Sequence, residues 1–382
     1  MSSVRDIASD AGVSISTVSR VLNNDSSVHP DTRDRVLAVA NKKGYTPSVG
    51  RRITTHIGLA YTQEMTLSHP YDATVVEGIM HGLNERRFDL VLLNLNRDKR
   101  SNETYTQFFI RKGVRGVILR TMKESRSVCE AIADEGFPHV VVSERFDSPN
   151  VSCIDCDSKP DSVRAVDYLI RLGHRRIGFG AHNVSDLDHI DRHVGYLDAL
   201  KANGLPIDDD LVFWQPFTLS GGATVMDMAM NLAEPPTAFY FADPLLAVGA
   251  IKRAHEMGIR IPEDLSIVGF DDTDIRHSVY PTMTAVCQEA SVLGLEAALW
   301  LTRILTDGKA QRLSKAIPTF FEINETTAPP SSNPGLQKRR NNGAGAKSAS
   351  RSRRRLNQSL APASDRLGYA QSGTSNPRKA EQ

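Results

Sequence analysis

The sequence has few cysteines and no long apolar run. Its 382 residues include four cysteines, and no stretch of about 18 or more apolar residues is present to cross a bilayer. No apolar segment near the N-terminus resembles a signal peptide. Scarce cysteine is typical of a reducing compartment, so we expect a cytoplasmic protein with no membrane partner.

Two of the cysteines, Cys153 and Cys156, form the C-x-x-C motif CIDC. A zinc site of this type needs a second pair, and a redox site needs a suitable exposed helix start. Because the chain has no second pair, we interpret both residues as buried thiols near a strand. Zinc binding and redox chemistry are the weaker alternatives.

The formal net charge of +1 conceals an uneven distribution along the chain. Residues 1–52 hold eight Lys/Arg and five Asp/Glu, whereas residues 329–382 hold eleven and two. The segment between them therefore carries a charge of −11. Basic ends around an acidic body predict a nucleic-acid partner for the ends and not for the body.

The N-terminal segment predicts three short helices around one small core. Gly12 allows a tight turn after the first helix, Ser14 caps a second helix, and Pro30 stands in the first turn of a third. The predicted inward-facing residues are Ile7, Ala8, Ala11, Val18, Val21, Leu22, Val36, Leu37 and Ala40.

The outward positions of the second helix carry short polar or basic side chains. They are Ser16, Thr17, Ser19, Arg20 and Asn23. Two helices around a glycine turn are typical of a helix-turn-helix, whose second helix enters the major groove of DNA. The alternative is a small helical bundle with a solvated polar face.

The run VRDIASDAGVSISTVSRVLNNDSSVHPDTRDRVLAVANKKGYTP resembles the DNA-binding head of the lactose-repressor family. The resemblance implies that Ile15, Ser16 and Arg20 face base edges. It also implies backbone contacts from Ser14, Thr17, Ser19, Asn23, Thr32 and Tyr45. Arg20 is the main candidate for sequence reading, because an arginine can bond a guanine twice.

The body from Ile57 to about Ile323 alternates apolar strand-like runs with amphipathic helical stretches. Runs such as LVLLNL, HVVVSE and LSIVGF are short and almost wholly apolar, which predicts parallel sheets covered by helices on both faces. Ligands of such α/β folds bind at the carboxyl ends of the strands.

The body also resembles the effector domain of the same family, most specifically in GHRRI and IPEDLSIVGFDD. The resemblance implies an α/β fold of two lobes, similar to periplasmic binding proteins, with a small ligand in the cleft. We therefore expect an all-α helix-turn-helix head over 1–47, a short linker over 48–56, the two-lobed effector and dimerisation domain over 57–328, and a disordered basic tail over 329–382.

The same resemblance implies a set of ligand-binding residues. They are Tyr71, Arg145, Arg192, Asp243 and Asp271. Ala242 stands where the family usually has asparagine, which removes a bidentate hydrogen-bonding group and weakens the case for a simple sugar. The alternative role of each residue is a helix cap, an interlobe ion pair or a surface charge.

Two patterns raise the alternative of an enzyme or a metal protein. FDDTDIR follows an apolar strand, but Ile275 and Arg276 stand where a haloacid-dehalogenase-type phosphatase needs Thr or Val. In DLDHIDRH, His189 and His193 lie four residues apart, without the glutamate that zinc proteases need after the first histidine. The nearby Asp186, Asp188 and Asp191 leave a structural or adventitious metal as an open alternative. We expect no catalytic residue, no cofactor and no resident metal.

The linker GYTPSVGRRITTHIGLA is about five residues shorter than in the family, and it has no N-A-x-A-R-x-L run for a hinge helix. We predict that Arg51 and Arg52 contact phosphate or a narrow minor groove in place of a leucine wedge.

Two roles of the basic tail stay open. The tail could attract DNA phosphate without regard to sequence, or it could be a solvated appendage with no role in binding.

Together the patterns predict a cytoplasmic, ligand-responsive transcription regulator, most simply a repressor acting as a homodimer on double-stranded operator DNA. A stand-alone solute-binding protein is the alternative of a different class. That alternative predicts a signal peptide and no DNA-binding head.

Overall fold

A computed structural model describes residues 3–22, 25, 27–42, 54–62, 69–121, 125–182, 187–308 and 311–331. Helices and strands are numbered in chain order. The N-terminal head consists of α1 (Val4–Ala11), α2 (Ile15–Leu22) and α3 (Pro30–Lys42).

Local capping explains where the helices of the head begin and end. Ser3 and Asp6 form a capping box at the start of α1, and Gly12 ends α1 in the left-handed region at φ +62°. That conformation suits glycine because it has no Cβ. The predicted core is confirmed: Ile7, Ala8, Ala11, Val18, Val21, Val36 and Ala40 are buried, with Leu22 and Leu37 packed against them.

The body is built from two parallel sheets, each covered by helices. The first lobe, called the N-lobe, has the strand order β11-β5-β4-β3-β1-β2. Its strands are β1 (His56–Tyr61), β2 (Asp89–Asn94), β3 (Gly116–Arg120), β4 (His139–Val142), β5 (Cys153–Asp157) and β11 (Ser314–Pro318). Its helices are α4 (Pro70–Glu85), α5 (Leu95–Asp98), α6 (Tyr105–Arg111), α7 (Arg126–Asp134) and α12 (Ala290–Asp307).

The second lobe, called the C-lobe, repeats this design with the strand order β12-β10-β9-β8-β6-β7, in which only β12 is antiparallel to its neighbour. Its strands are β6 (Ile177–Ala181), β7 (Val212–Trp214), β8 (Ala238–Phe241), β9 (Ser266–Asp271), β10 (Thr284–Cys287) and β12 (Phe320–Glu322). Its helices are α8 (Lys159–Arg171), α9 (Leu187–Ala202), α10 (Leu219–Met230) and α11 (Pro244–Glu256).

The chain passes between the lobes three times, after β5, after β10 and after β11. The second passage carries α12 back to the N-lobe, where it packs on α4. The predicted two-lobed α/β fold is thereby confirmed. The three connections are short and join the β5/β11 edge of one sheet to the β10/β12 edge of the other.

Helices α4 and α12 approach each other closely at two glycines. A Cβ on Gly78 would lie 1.8 Å from the carbonyl oxygen of Ser291, and one on Gly294 would lie 2.0 Å from that of Val75. Any larger residue must push the two helices apart, because backbone atoms cannot move aside like the end of a side chain. The glycines therefore fix the helix spacing of the N-lobe.

The C-x-x-C cysteines are buried on β5, as the sequence predicts. Their spacing places them on opposite faces of the sheet: Cys153 packs into one N-lobe core and Cys156 into the other. Burial raises the pKa of the Cys156 thiol, so it stays protonated. Within the described part of the chain, no helix is long and apolar enough to cross a membrane.

The predicted linker over 48–56 lies largely outside the described residues, and so does the basic tail beyond residue 331. The hypotheses about Arg51, Arg52 and the tail therefore stay predictions.

Candidate functional site

The first candidate site is the outward face of α2. The Oγ of Ser14 accepts a hydrogen bond from the backbone N–H of Thr17 at 3.1 Å, which caps the helix. The next side chain, Ile15, is 50% exposed although it is apolar. Ser16, Ser19 and Arg20 follow on the exposed surface. A small apolar core thus presents a row of short polar groups and one guanidinium to solvent.

The residues predicted to bind DNA fall into three groups. Ser14, Ile15, Ser16, Ser19 and Arg20 are exposed, and Thr17 and Thr32 are half-buried. The remaining four, Asn23, Tyr45, Arg51 and Arg52, lie outside the described residues. The exposed set has the size and polarity that major-groove reading requires.

The second candidate site is the cleft where the carboxyl ends of the two sheets meet. Arg192 of α9 is buried there, with its guanidinium 3.4 Å from the ring centre of Phe270. It donates one hydrogen bond to the carbonyl oxygen of Ala242 at 2.7 Å and another to Gln288 Oε1 at 3.3 Å. The predicted ligand arginine is therefore held in place by the ends of two C-lobe strands.

A histidine and an aspartate join the lobes across this cleft. His69 stands at the start of α4 in the N-lobe, and its Nε2 lies 3.5 Å from Asp243 Oδ2 in the C-lobe. The other oxygen of Asp243 accepts the N–H of Leu246 and caps α11. Burial lowers the pKa of His69, but the bond and charge of Asp243 outweigh burial and raise it. Phe217 packs edge-on against His69 at 4.8 Å.

The two acids after β9 have opposite surroundings. The carboxylate of Asp271 accepts the backbone N–H groups of Thr273, Ile275 and Arg276, and a guanidinium N–H of Arg276 at 2.8 Å. Its bonding capacity is used within its own loop, so in this structure it shapes the loop. Asp272 is equally buried, and its Oδ1 has no hydrogen-bond partner among the described residues.

Asp272 faces the cleft. Burial raises its pKa to about 7, and the charged groups that act on it are Arg192, Asp243, His69 and Asp271. On the neighbouring strand, Gln288 is also buried, and its Nε2 has no partner among the described residues. Cys287 and Asp271 are paired in the sheet, so Gln288 and Asp272 leave adjacent strand ends side by side.

The predicted aromatic, Tyr71, is buried in the first turn of α4. Its hydroxyl bonds to Ser143 Oγ, and the guanidinium of Arg120 lies 5.1 Å from its ring centre. Arg120 also donates to Asp72 at 3.3 Å. One face of the tyrosine is thus covered by an arginine of the same lobe.

Arg145 lies at the rim of the cleft and makes two ion pairs. Its Nε is 2.7 Å from Asp155 in the N-lobe, and its other end pairs with Asp191 on α9 in the C-lobe. Its side chain stays 42% exposed. The arrangement matches the interlobe ion pair that the sequence left open as an alternative to ligand binding.

The two histidines considered for metal binding, His189 and His193, lie in different surroundings. His193 stacks on Phe179 at 5.2 Å and meets Trp214 edge-on, and burial lowers its pKa. His189 lies on the cleft side, near Asp243. Asp186 lies outside the described residues. Within the described part of the chain, no group of three or more His, Cys, Asp or Glu residues is arranged to hold a metal ion.

Sequence reasoning did not assign His69 or Gln288 to the cleft, and it considered Asp272 only for phosphatase chemistry. The available signals were weak: His69 precedes the first proline of a helix, and Gln288 follows a short apolar strand. Their meeting in the cleft depends on the crossing of the chain between lobes, which no local pattern shows.

The comparisons to known proteins match both parts of the chain that contain these sites. The model of bacterial regulatory proteins of the lacI family matches residues 3–48, and the model of a periplasmic binding protein-like domain matches residues 166–326. The regulator DegA of Bacillus subtilis is 29% identical over 335 residues, which cover 85% of this chain and 98% of DegA. CelR of Thermobifida fusca is 29% identical over 329 residues, covering 84% of this chain and 96% of CelR.

Among solved structures, a CelR–cellobiose complex covers 85% of this chain and all of its own, with 27% identity and a TM-score of 0.62. A helix-turn-helix head followed by a two-lobed binding body defines a DNA-binding transcription regulator. The chain is similar in its head to bacterial regulatory proteins of the lacI family, and along most of its length to the regulators DegA and CelR.

Proposed function

We propose that this chain is a transcriptional repressor that acts as a homodimer, and that a small molecule held between its lobes controls its affinity for operator DNA. The observation that carries the proposal is the pairing of an exposed α2 face with a buried, charged cleft in one chain. We place its action in the cytoplasm, on the DNA of the nucleoid.

The head supports a dimer on a pseudo-palindromic operator. One α2 offers few side chains to base edges, and a single helix-turn-helix unit reads too few bases for selectivity between genes. Two heads one helical turn apart double the contacts. Within each head, Arg20 supplies the bidentate reading, while Ser14 and Ser19 hold the helix on the DNA backbone.

The cleft supports control by a ligand. His69 and Asp243 join the lobes, and so do Arg145 and Asp191, so the distance between lobes depends on what lies between them. A ligand changes operator affinity only if it binds one lobe arrangement better than the other. The charged lining and the cellobiose complex of a relative point to a ligand rich in hydroxyl groups.

The test begins with operators selected from a random DNA pool by the full-length chain. We expect a pseudo-palindromic sequence, a footprint on two half-sites, and two protomers per site in sedimentation. No enriched sequence, or binding by one protomer to one half-site, would contradict the proposal. Arg20→Lys serves as the control, because it keeps the charge but loses the two-bond geometry.

A further inference from the structure

The strongest unexplained feature of the molecule is a pair of buried polar groups at the carboxyl ends of β9 and β10. Asp272 and Gln288 are 6% and 4% exposed, respectively. Oδ1 of the first can accept a hydrogen bond and Nε2 of the second can donate one, yet neither atom has a partner among the described residues. A buried polar group without a partner is costly, so both atoms point to a ligand that bonds them.

The amide of Gln288 is fixed by its other end. Its Oε1 accepts a guanidinium hydrogen of Arg192 at 3.3 Å, so its NH₂ group points the other way. The ligand atom that meets Nε2 must therefore be an acceptor. The ligand atom that meets Asp272 Oδ1 must be a donor.

The charges around Asp272 decide what kind of donor fits. Asp271 is paired with Arg276 at 2.8 Å, and Asp243 is paired with His69 at 3.5 Å. Arg192 acts on Asp272 through its field and donates to Ala242 and Gln288. Asp272 is thus a buried carboxylate with no ion pair of its own among the described residues.

A neutral hydroxyl would satisfy the bonding of Oδ1 but leave this negative charge buried. An ammonium group would donate the same hydrogen bond and would also neutralise the buried charge. Burial raises the pKa of Asp272 more than the field of Arg192 lowers it, so a positively charged group beside Oδ1 would stabilise the ionised carboxylate.

We propose that the cleft binds an amine-bearing polyol, such as an amino sugar, with its ammonium group on Asp272 and a neighbouring hydroxyl on Gln288. This inference rests on the proposed function and specifies its ligand. Ala242 is consistent with it, because the methyl group offers no amide to a pair of neutral hydroxyls.

The test uses three matched pairs of probes: D-glucose and D-glucosamine, D-galactose and D-galactosamine, and D-mannose and D-mannosamine. Within each pair only one group changes, from hydroxyl to ammonium. Thermal shift and calorimetry are run on the full-length chain at pH 7. We expect at least one amino member to bind at least about tenfold more tightly than its parent.

Two variants locate the effect. Asp272→Asn keeps the shape but removes the charge, so it should abolish the preference for the amino member while the chain stays folded. Asp274→Asn, two residues away on an exposed side chain, should keep the preference. Circular dichroism and the unliganded melting temperature confirm folding of both variants.

Binding of no amino member, equal binding of an amino sugar and its parent, or an unchanged preference in Asp272→Asn would each overturn the inference. Operator binding by the same preparation separates this failure from that of the proposed function. A neutral sugar that alters operator affinity would sustain ligand control and refute the amine.

Discussion

The α2 face and the cleft both depend on polar side chains, but they hold them in opposite ways. On α2 the groups are exposed and are positioned by contacts within one turn of the helix. For example, Ser14 Oγ accepts the backbone N–H of Thr17 and caps the helix. In the cleft they are buried and meet partners from distant parts of the chain, as His69 meets Asp243. An exposed group is satisfied by water, whereas a buried one without a partner indicates a ligand.

The largest effect should come from the helix contact that supports the cleft. Gly294→Ala places a methyl group on the backbone of α4, and we expect it to lower the free energy of unfolding of the body by about 3 kcal/mol. Both tryptophans, Trp214 and Trp300, lie in the body, so urea unfolding followed by tryptophan fluorescence reports the body alone.

The matched control is Arg303→Ala on the exposed side of the same helix, where we expect a change within about 0.5 kcal/mol. If the Gly294→Ala variant still binds operator at low temperature, the head keeps its function although the body is less stable. Equal destabilisation by the two substitutions would contradict the close helix contact.

The next effect concerns the head. Arg20→Ala should weaken binding to the selected operator by about ten- to a hundredfold, because a bidentate contact to guanine contributes about 1–3 kcal/mol. Binding to unrelated DNA should weaken much less. Fluorescence anisotropy on both DNAs measures the ratio, and a uniform loss would indicate that Arg20 contacts only phosphate.

A smaller effect is expected from pH. The pKa of Asp272 is about 7 in the folded chain, above the ordinary value of 3.8, so between these values the folded chain binds more protons than the unfolded chain. The contribution of Asp272 to the free energy of unfolding therefore falls as pH rises from about 4 to about 7. The raised pKa of His69 also makes the folded chain less stable as pH rises. Asp272→Asn should melt at a higher temperature than the parent at pH 8.

The Asp272→Asn variant should also lose part of the decline in melting temperature between pH 5 and pH 8. Asp274→Asn should follow the parent over that range. If the parent and Asp272→Asn have the same profile, Asp272 does not carry an unpaired charge.

The smallest effect should come from the tail. Removal of residues 329–382 takes away a charge of +9, so the plot of log affinity against log salt should become less steep. Operator selectivity should stay the same, because electrostatic attraction to phosphate does not depend on base sequence. An unchanged slope would leave the tail without a role in DNA binding.

The head and the sheet pattern were predictable from sequence because local rules determine them. Ile7, Ala8 and Ala11 share a helix face through their spacing alone, and Gly12 follows from the turn that the chain needs. The apolar runs of the body likewise predict parallel strands, and the family resemblance supplies their division between two lobes.

The cleft was predictable only in part. Arg192 and Asp243 lie in the cleft. The predicted Asp271 is bonded within its own loop, whereas Oδ1 of the next residue, Asp272, has no hydrogen-bond partner among the described residues. The backbone conformation after β9 determines whether Asp271 or Asp272 accepts the N–H groups of the loop. Gln288 and His69 reach the site through the interlobe crossings, which sequence spacing does not reveal.

The most direct test of the account is operator affinity with the cleft empty and filled. Fluorescence anisotropy on the selected operator is measured with and without the amino sugar that stabilises the body. We predict at least a tenfold change in the parent chain, a reciprocal change in sugar affinity when operator is present, and neither in Asp272→Asn. An operator affinity that is the same with the cleft occupied would contradict ligand control.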